Sequence, residues 1–317
     1  MLTDRQKSSL HVGLGHRGGG INKVSVHPIF ELAATAGEDG TVKLWDLDSG
    51  DFVKTLKGHT AAVTCVVWNA KGDLLVSTGA DLSVKVWDGG DGYNCRKTMR
   101  GHGHNVSAAS FCRMEGVEDK GVVTTGRDGT IRFWDLDTGF CVGTIQPRAD
   151  PPVWLRDLKV GGGGGEFATA GSDGVVTVWD LEGRKVKHDM RGHEHVVNAV
   201  AYPGGATAEA EAANIVVSAS RDKTVRVWDT GTGAEIHCFR THSNWVRDVL
   251  VSPRDHNYII SVGDDRSMVV FDLKNRRCVR EIKDAGGHFV QAVGMHKKLP
   301  VVVTAGVDNE VRIWKCE

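Results

Sequence analysis

The sequence holds no apolar run approaching the roughly 20 residues that a membrane-spanning helix needs. Its start, Met1 to Leu10, is polar and lacks the apolar stretch of a secretory signal, so a cytosolic chain is expected. An excess of one charge is missing too. The 39 basic residues face 40 acidic ones, a net charge of −1, which argues against nucleic acid or an anionic membrane as partner. The seven cysteines are odd in number and form no C-x-x-C pair, so neither a disulfide framework nor a zinc site is indicated. The run Gly161–Gly165 is not followed by Gly-Lys-Ser/Thr, so it reads as a turn and not as a phosphate loop. No helical stripe of useful length occurs. What remains is ordinary globular composition, 40% hydrophobic and 25% charged, in a chain long enough to bury a large core.

What is present is a repeat. An aromatic followed by Asp recurs at Trp45, Trp87, Trp134, Trp179, Trp228 and Phe271, and Trp314 closes the series before Lys315. The spacings of 42, 47, 45, 49, 43 and 43 residues match one four-stranded propeller blade. Six residues before each aromatic stands Asp39, Asp81, Asp128, Asp173, Asp222, Asp265 or Asp308. Four residues before each Asp is a hydroxyl: Thr35, Ser77, Thr124, Thr169, Ser218, Ser261 or Thr304. Five repeats add a His: His16, His59, His102 and His193, each after Gly, and His242 after Thr. Alternating stretches such as Thr41 to Trp45 follow Asp-Gly or Asp-Lys turns, as hairpin strands do. The fold expected is all-β: one seven-bladed β-propeller of the WD-repeat type, spanning residues 1–317.

These residue types can satisfy one another. The indole N–H donates to the hydroxyl, the hydroxyl to the imidazole, and the imidazole to the carboxylate. In two repeats the expected sets are His59, Ser77, Asp81, Trp87 and His193, Ser218, Asp222, Trp228. A His-Ser-Asp set could be a hydrolase triad, but seven near-copies speak for structure, so no catalysis is expected. The pairs His102/His104 and His193/His195 could hold a metal, but one member of each is committed to its network. No metal and no cofactor is expected. Cys141 and Cys278, seven residues after their landmarks, read as inward strand positions, and Cys95 lies one residue out of phase.

Two repeats break the pattern. The fourth has Gln146-Pro147-Arg148-Ala149-Asp150-Pro151-Pro152 in place of Gly-His, and the seventh has Gly286 in the His column with His288 beyond it. Water is expected to complete both networks. Arg113–Gly121 and Pro203–Asn214 read as lengthened loops. The chain ends three residues after Trp314, so the last blade needs an outer strand. Residues 1–14, with Ser8-Ser9-Leu10-His11-Val12 at their centre, are expected to supply it and latch the ring.

The His and Asp loops must meet, so their neighbours share one face. Trp154, Trp245 and Phe289 lie three positions after the His column, Arg156 and Arg247 two residues beyond the tryptophans, and Arg127 and Arg221 directly before the network Asp. Trp and Arg dominate interface hot spots, so this sector is the expected partner-binding surface. A nucleic-acid stacking surface is disfavoured by the neutral charge.

At these residues the chain resembles the lissencephaly-type, or nuclear-distribution, regulators of dynein, over nearly its whole length. The segments that carry the likeness include His27-Pro28-Ile29-Phe30, Gly50 to Thr60, Lys97 to Ser107, Glu194-His195-Val196-Val197 and Ser220 to Thr224. Asn244-Trp245-Val246-Arg247, Asn275 to Cys278 and His288-Phe289-Val290 add to them. The resemblance implies a non-catalytic regulator in the cytoplasm and on the cytoskeleton, at microtubules, centrosome or flagellum. Its implied partner is the dynein heavy-chain motor domain, with dynein cofactors of the nuclear-distribution pathway beside it. The contacts carried over are Arg127, Trp154, Arg156, Arg221, Trp245 and Arg247, facing the ATPase ring and stalk base. The family also associates with a phospholipid acetylhydrolase. Its members carry an N-terminal dimerisation motif and coiled coil, which this chain does not show, so a monomer is expected. The competing expectation is a general WD-repeat scaffold for another complex.

Overall fold

The computed structural model describes residues 10–12, 16, 18–114, 116–147, 152–203 and 214–316. Strands β1 to β28 form seven four-stranded antiparallel sheets, and no helix occurs among the described residues. Six sheets are simple meanders, the first running β2 (Ile21–Val26), β3 (Leu32–Gly37), β4 (Thr41–Asp46) and β5 (Phe52–Lys57). The innermost strands are β2, β6 (Val63–Trp68), β10 (Val106–Met114), β14 (Leu155–Val160), β18 (Val197–Ala201), β22 (Val246–Val251) and β26 (Val290–Met295). Each packs beside the next, and β26 packs against β2, so the ring is closed. This is the seven-bladed propeller that the repeat predicts. The seventh sheet runs β26, β27 (Val301–Gly306), β28 (Val311–Lys315) and then β1 (Leu10–Val12), with Leu10 opposite Ile313 and Val12 opposite Val311. The rest of the expected latch, residues 1–9 and 13–14, lies outside the described residues.

Every blade turns on its network Asp. The residue after it has positive φ in all seven: Gly40, Leu82, Gly129, Gly174, Lys223, Arg266 and Asn309. Four of these are not glycine and sit in a conformation disfavoured for an L-residue. The Asp Oδ1 accepts the backbone N–H two residues on, at 3.0 Å from Thr41 to Asp39 and 2.9 Å from Thr224 to Asp222. The same bond runs in the other five blades. The carboxylate therefore stabilises its turn whether or not a His is present.

On that turn the expected network assembles. In the second blade Trp87 Nε1 donates to Ser77 Oγ at 2.8 Å, and Ser77 Oγ lies 2.8 Å from His59 Nε2. His59 Nδ1 reaches Asp81 at 3.0 Å. In the fifth, Trp228, Ser218, His193 and Asp222 link at 2.8, 2.7 and 2.7 Å. The sets built on His16, His102 and His242 match, except that Phe271 has no N–H to give. One member escaped the sequence reading. Thr41, Ser83, Thr130, Thr224 and Ser267, two residues after the Asp, each donate a hydroxyl to it. The two blades without His have Val175 and Glu310 at that position.

The seventh of the two blades without His differs from expectation. In the seventh, the Arg312 guanidinium fills the gap, donating to Asp308 at 2.7 Å and also bonding Glu310. A side chain of β28 thus pairs with the carboxylate where the other blades place an imidazole. In the fourth, Trp179 still donates to Thr169 at 3.0 Å, and a cavity of about 60 Å3 opens beside Thr169, Asp173 and Trp179. It is polar enough and wide enough for water. Residues 148–151 of that segment lie outside the described residues.

Two further expectations need correction. Cys95, Cys141 and Cys278 are exposed, because each lies on the outermost strand opposite its landmark aromatic, at the rim of the disc. Cys65 and Cys112 are the buried ones. Arg113–Gly121 is not a loop: it extends β10 and β11 (Val117–Gly126) into a longer hairpin, with Met114 opposite Val117. Within Pro203–Asn214, residues 204–213 lie outside the described residues.

Removing residues 1–12 should lower the melting temperature by roughly 5 °C or more, about what 2 kcal/mol costs a domain of this size. An unchanged calorimetric melt would reject the latch. Acid should also unfold the protein in two stages. Burial works to raise the Asp81 and Asp265 carboxyls, but hydroxyl, imidazole and amide hydrogen bonds outweigh it and hold both at about 2. Burial pushes His16 and His59 below the usual imidazole value despite their carboxylate partners. The depressed carboxyls contribute stability above about pH 4 that is lost toward pH 2, and the depressed imidazoles contribute stability that is lost as pH falls below about 6.5. Melting temperature should therefore fall gently from pH 7 to 5 and steeply from pH 4 to 2. A flat profile across both windows would contradict the network's role.

Candidate protein-binding face

In all seven blades the ladder between the first two strands skips one residue. It passes from Ile21 to Lys23, Val63 to Cys65, Val106 to Ala108 and Leu155 to Asp157. Likewise it passes from Val197 to Ala199, Val246 to Asp248 and Val290 to Ala292. A β-bulge leaves one residue unpaired and re-aims its side chain. The unpaired residues are Asn22, Thr64, Ser107, Arg156, Asn198, Arg247 and Gln291. All seven line one recess of about 310 Å3, and one residue from each blade can meet only on the central axis. Two-residue alternation predicts that Arg247 shares a side with Trp245. The side is right, but the bulge is what turns the guanidinium toward the channel mouth.

The predicted sector comes together around two indoles. Arg221 Cζ lies 4.5 Å from the Trp245 ring centroid and Arg247 Cζ 5.1 Å from it, so two guanidiniums pack on one indole. Arg127 Cζ lies 5.4 Å from the centroid of Trp154, which is 45% exposed. Cation–π contacts of this kind fix both partners. His195 adds a ring 6.2 Å from Trp245. Phe289, 36% exposed, stacks edge-on against His288 at 4.4 Å, on the next blade from Trp245. The seven predicted residues thus lie on one face, with the Arg and Trp residues of blades three to six grouped at the channel mouth and Phe289 beyond them.

The charges within the group are unequal. Arg247 makes a bidentate pair with buried Asp264, at 2.7 Å from Nε and 2.6 Å from Nη2. It is a braced support for Trp245. Arg221 Nε reaches only the amide oxygen of Asn198, at 3.3 Å. Arg156 keeps a buried Nε without a hydrogen-bond partner. Burial, followed by repulsion from Arg221, Arg127 and Arg247, pushes its guanidinium down to about 10. Burial and repulsion from Arg247 lower Arg221 as well, with Asp264 opposing them. A group of guanidiniums in which Arg247 alone is ion-paired among the described residues favours an acidic ligand.

Beneath the mouth lies a tier that sequence reasoning missed. Lys23 Nζ crosses the channel to Asp248 at 2.8 Å and Asp157 at 3.8 Å, tying blades one, six and four. The two carboxylates also accept the backbone N–H groups of Val293 and Val200 at 3.1 Å each. The signal was present as a charged residue directly after three of the seven bulges, Lys23, Asp157 and Asp248, but only bulge positions reveal it. Among the described residues no group of three or more His, Cys, Asp or Glu could hold a metal. His104 and His195 instead accept the next backbone N–H, both at 2.7 Å.

The geometry defines a WD-repeat propeller with a basic, aromatic face. A family profile described as "WD domain, G-beta repeat" matches residues 7–46, 50–88, 93–135, 184–229 and 233–272, more than half of the chain. The unmatched stretches contain the two blades without His. The nuclear distribution protein PAC1 of Coccidioides posadasii is 37% identical over 88% of this chain and 62% of its own length. PAC1-2 of Uncinocarpus reesii is 34% identical, covering 92% of this chain and 68% of its own. PAC1 of Yarrowia lipolytica is also 34% identical, covering 93% of this chain and 73% of its own. The chain belongs to the nuclear distribution protein family. It spans less than two thirds of the length of the Coccidioides relative.

The Lys23 tier makes a sharp stability prediction. Replacing Lys23 by Met leaves two buried carboxylates without their cation and should cost about 3–5 kcal/mol. Adding Asp157→Asn and Asp248→Asn, which removes the charges but keeps acceptors for the Val200 and Val293 N–H groups, should recover part of that loss. Urea denaturation measures both, and a near-neutral single variant would show that the triad does not hold the blades together.

Proposed function

We propose that this protein is a non-catalytic, protein-binding propeller that regulates the dynein motor. Its Arg/Trp face docks on the motor's ATPase ring and the base of its stalk, in the cytoplasm and along microtubules. The observation that carries the reading is the Trp245 indole with the Arg221 and Arg247 guanidiniums packed on it, and Arg127 packed on Trp154. Half-exposed aromatics braced by guanidiniums have the composition of an interface hot spot and lose little side-chain freedom on binding. Membership of a family whose relatives are named nuclear distribution proteins supports the same reading, since positioning nuclei is work for a microtubule motor. The repeated His-hydroxyl-Asp sets are spent on holding blades, which leaves them no catalytic part.

The test is binding to purified dynein motor domain. Arg221→Ala or Trp245→Ala should each weaken it about thirtyfold, the effect of losing one hot-spot residue. Their melting temperatures should stay close to that of the parent. Equal binding by both variants would discard this face, and no binding by the intact chain would favour a general WD-repeat scaffold.

A further inference from the structure

We propose that the recess at the channel mouth binds a compact polyphosphate, such as pyrophosphate or an inositol polyphosphate, through Arg127, Arg156 and Arg221. Arg127 and Arg156 line the recess, and Arg221 sits at its edge, bonded to the lining residue Asn198. Among the described residues no carboxylate is ion-paired with any of these three, whereas Arg247 beside them is paired with Asp264. Ser107 and Gln291 add neutral donors to the lining. Its acid, Glu38, is engaged with the Gly20 N–H at 3.2 Å. Planar guanidinium forks match phosphate oxygens two at a time, and a multiply charged anion answers several of them together.

The recess is a bounded depression of about 310 Å3 at the channel mouth, ringed by one bulge residue from each blade, which suits a compact anion that several side chains reach at once. The floor sets the depth. Lys23 is sealed between Asp248 and Asp157, so its charge is spent within the tier below and an anion is drawn to the arginines at the mouth. The depressed basicity of Arg156 and Arg221 agrees with a site short of negative charge.

The site does not depend on the motor reading. If a motor does dock on the rim, ligand in the recess and partner above it must influence each other's affinity reciprocally. Binding is read from tryptophan fluorescence, since Trp154 and Trp245 stand at the rim, during titration with pyrophosphate and with inositol hexakisphosphate at low salt. At least one of them should saturate in the micromolar range. Arg156→Gln and Arg127→Gln should each weaken it by at least about tenfold, the effect of losing a charge-assisted hydrogen bond. If Arg156→Gln does not fold, the more accessible Arg127→Gln decides. No saturation by either probe at millimolar concentration, or unchanged affinity in any folded variant of the two, overturns the proposal. Polyphosphate binding without motor binding retains this site and removes the motor reading. Motor binding without polyphosphate binding does the reverse.

Discussion

The carboxylate that closes each hairpin turn is the contact from which the other layers grow. The next residue must take positive φ, and in four blades it is Leu82, Lys223, Arg266 or Asn309, which gain nothing from glycine's freedom. The Asp Oδ1 holds the turn by accepting the N–H two residues on, and this bond exists in all seven blades. That explains why the Asp survives in the two repeats that have lost the His. A catalytic or purely imidazole-centred reading of the Asp cannot explain it. Imidazole, second hydroxyl and indole are additions to a turn that is already fixed.

The additions come and go together, which shows how they depend on one another. Where the His is missing, the hydroxyl two residues after the Asp is missing too, replaced by Val175 or Glu310. That hydroxyl donates to Asp81 at 2.7 Å and lies 3.2 Å from His59 in the second blade, so it packs into the same buried corner as the ring. The glycine before the His follows the indole instead. A Cβ on Gly58, Gly101 or Gly192 would stand 3.1 Å from the far edge of Trp87, Trp134 or Trp228. The sixth blade carries the shorter Phe271, and there Thr241 takes the glycine's place. Small substitutions thus travel in pairs because buried polar and aromatic groups leave no room for independent change.

This coupling also decides what could be read from residues alone. The blade number, the networks and the shared face of Arg127, Trp154, Arg221 and Trp245 follow from spacing, since every blade repeats them in phase. The bulges do not. A skipped residue leaves the hydrophobic pattern nearly intact, so Arg156 and Arg247 read as ordinary alternating positions, and Lys23 has no visible link to Asp157 or Asp248. Outer-strand cysteines misled for a related reason. Strand phase says which face a residue occupies, but not whether another sheet covers that face, and at the rim none covers Cys141 or Cys278. Arg312 escaped because it acts for a residue that stands in another column of the repeat.

A nearly neutral chain with a basic face is then a matter of where charges are placed. The residue before each network Asp points to the same rim, and around the ring it reads Glu38, Ala80, Arg127, Ser172, Arg221, Asp264 and Val307. Only one of the two acids there serves the arginines, and Asp264 spends itself on Arg247. The remaining guanidiniums repel one another, and that repulsion destabilises the free protein locally. The fold tolerates it because its stability resides in turns, networks, inter-blade cores and the Lys23 tier beneath the mouth. Whatever relieves the repulsion must bring negative charge to blades three to six. Part of its affinity is thus stored in the unliganded face as unfavourable electrostatics, and added salt should diminish that part first.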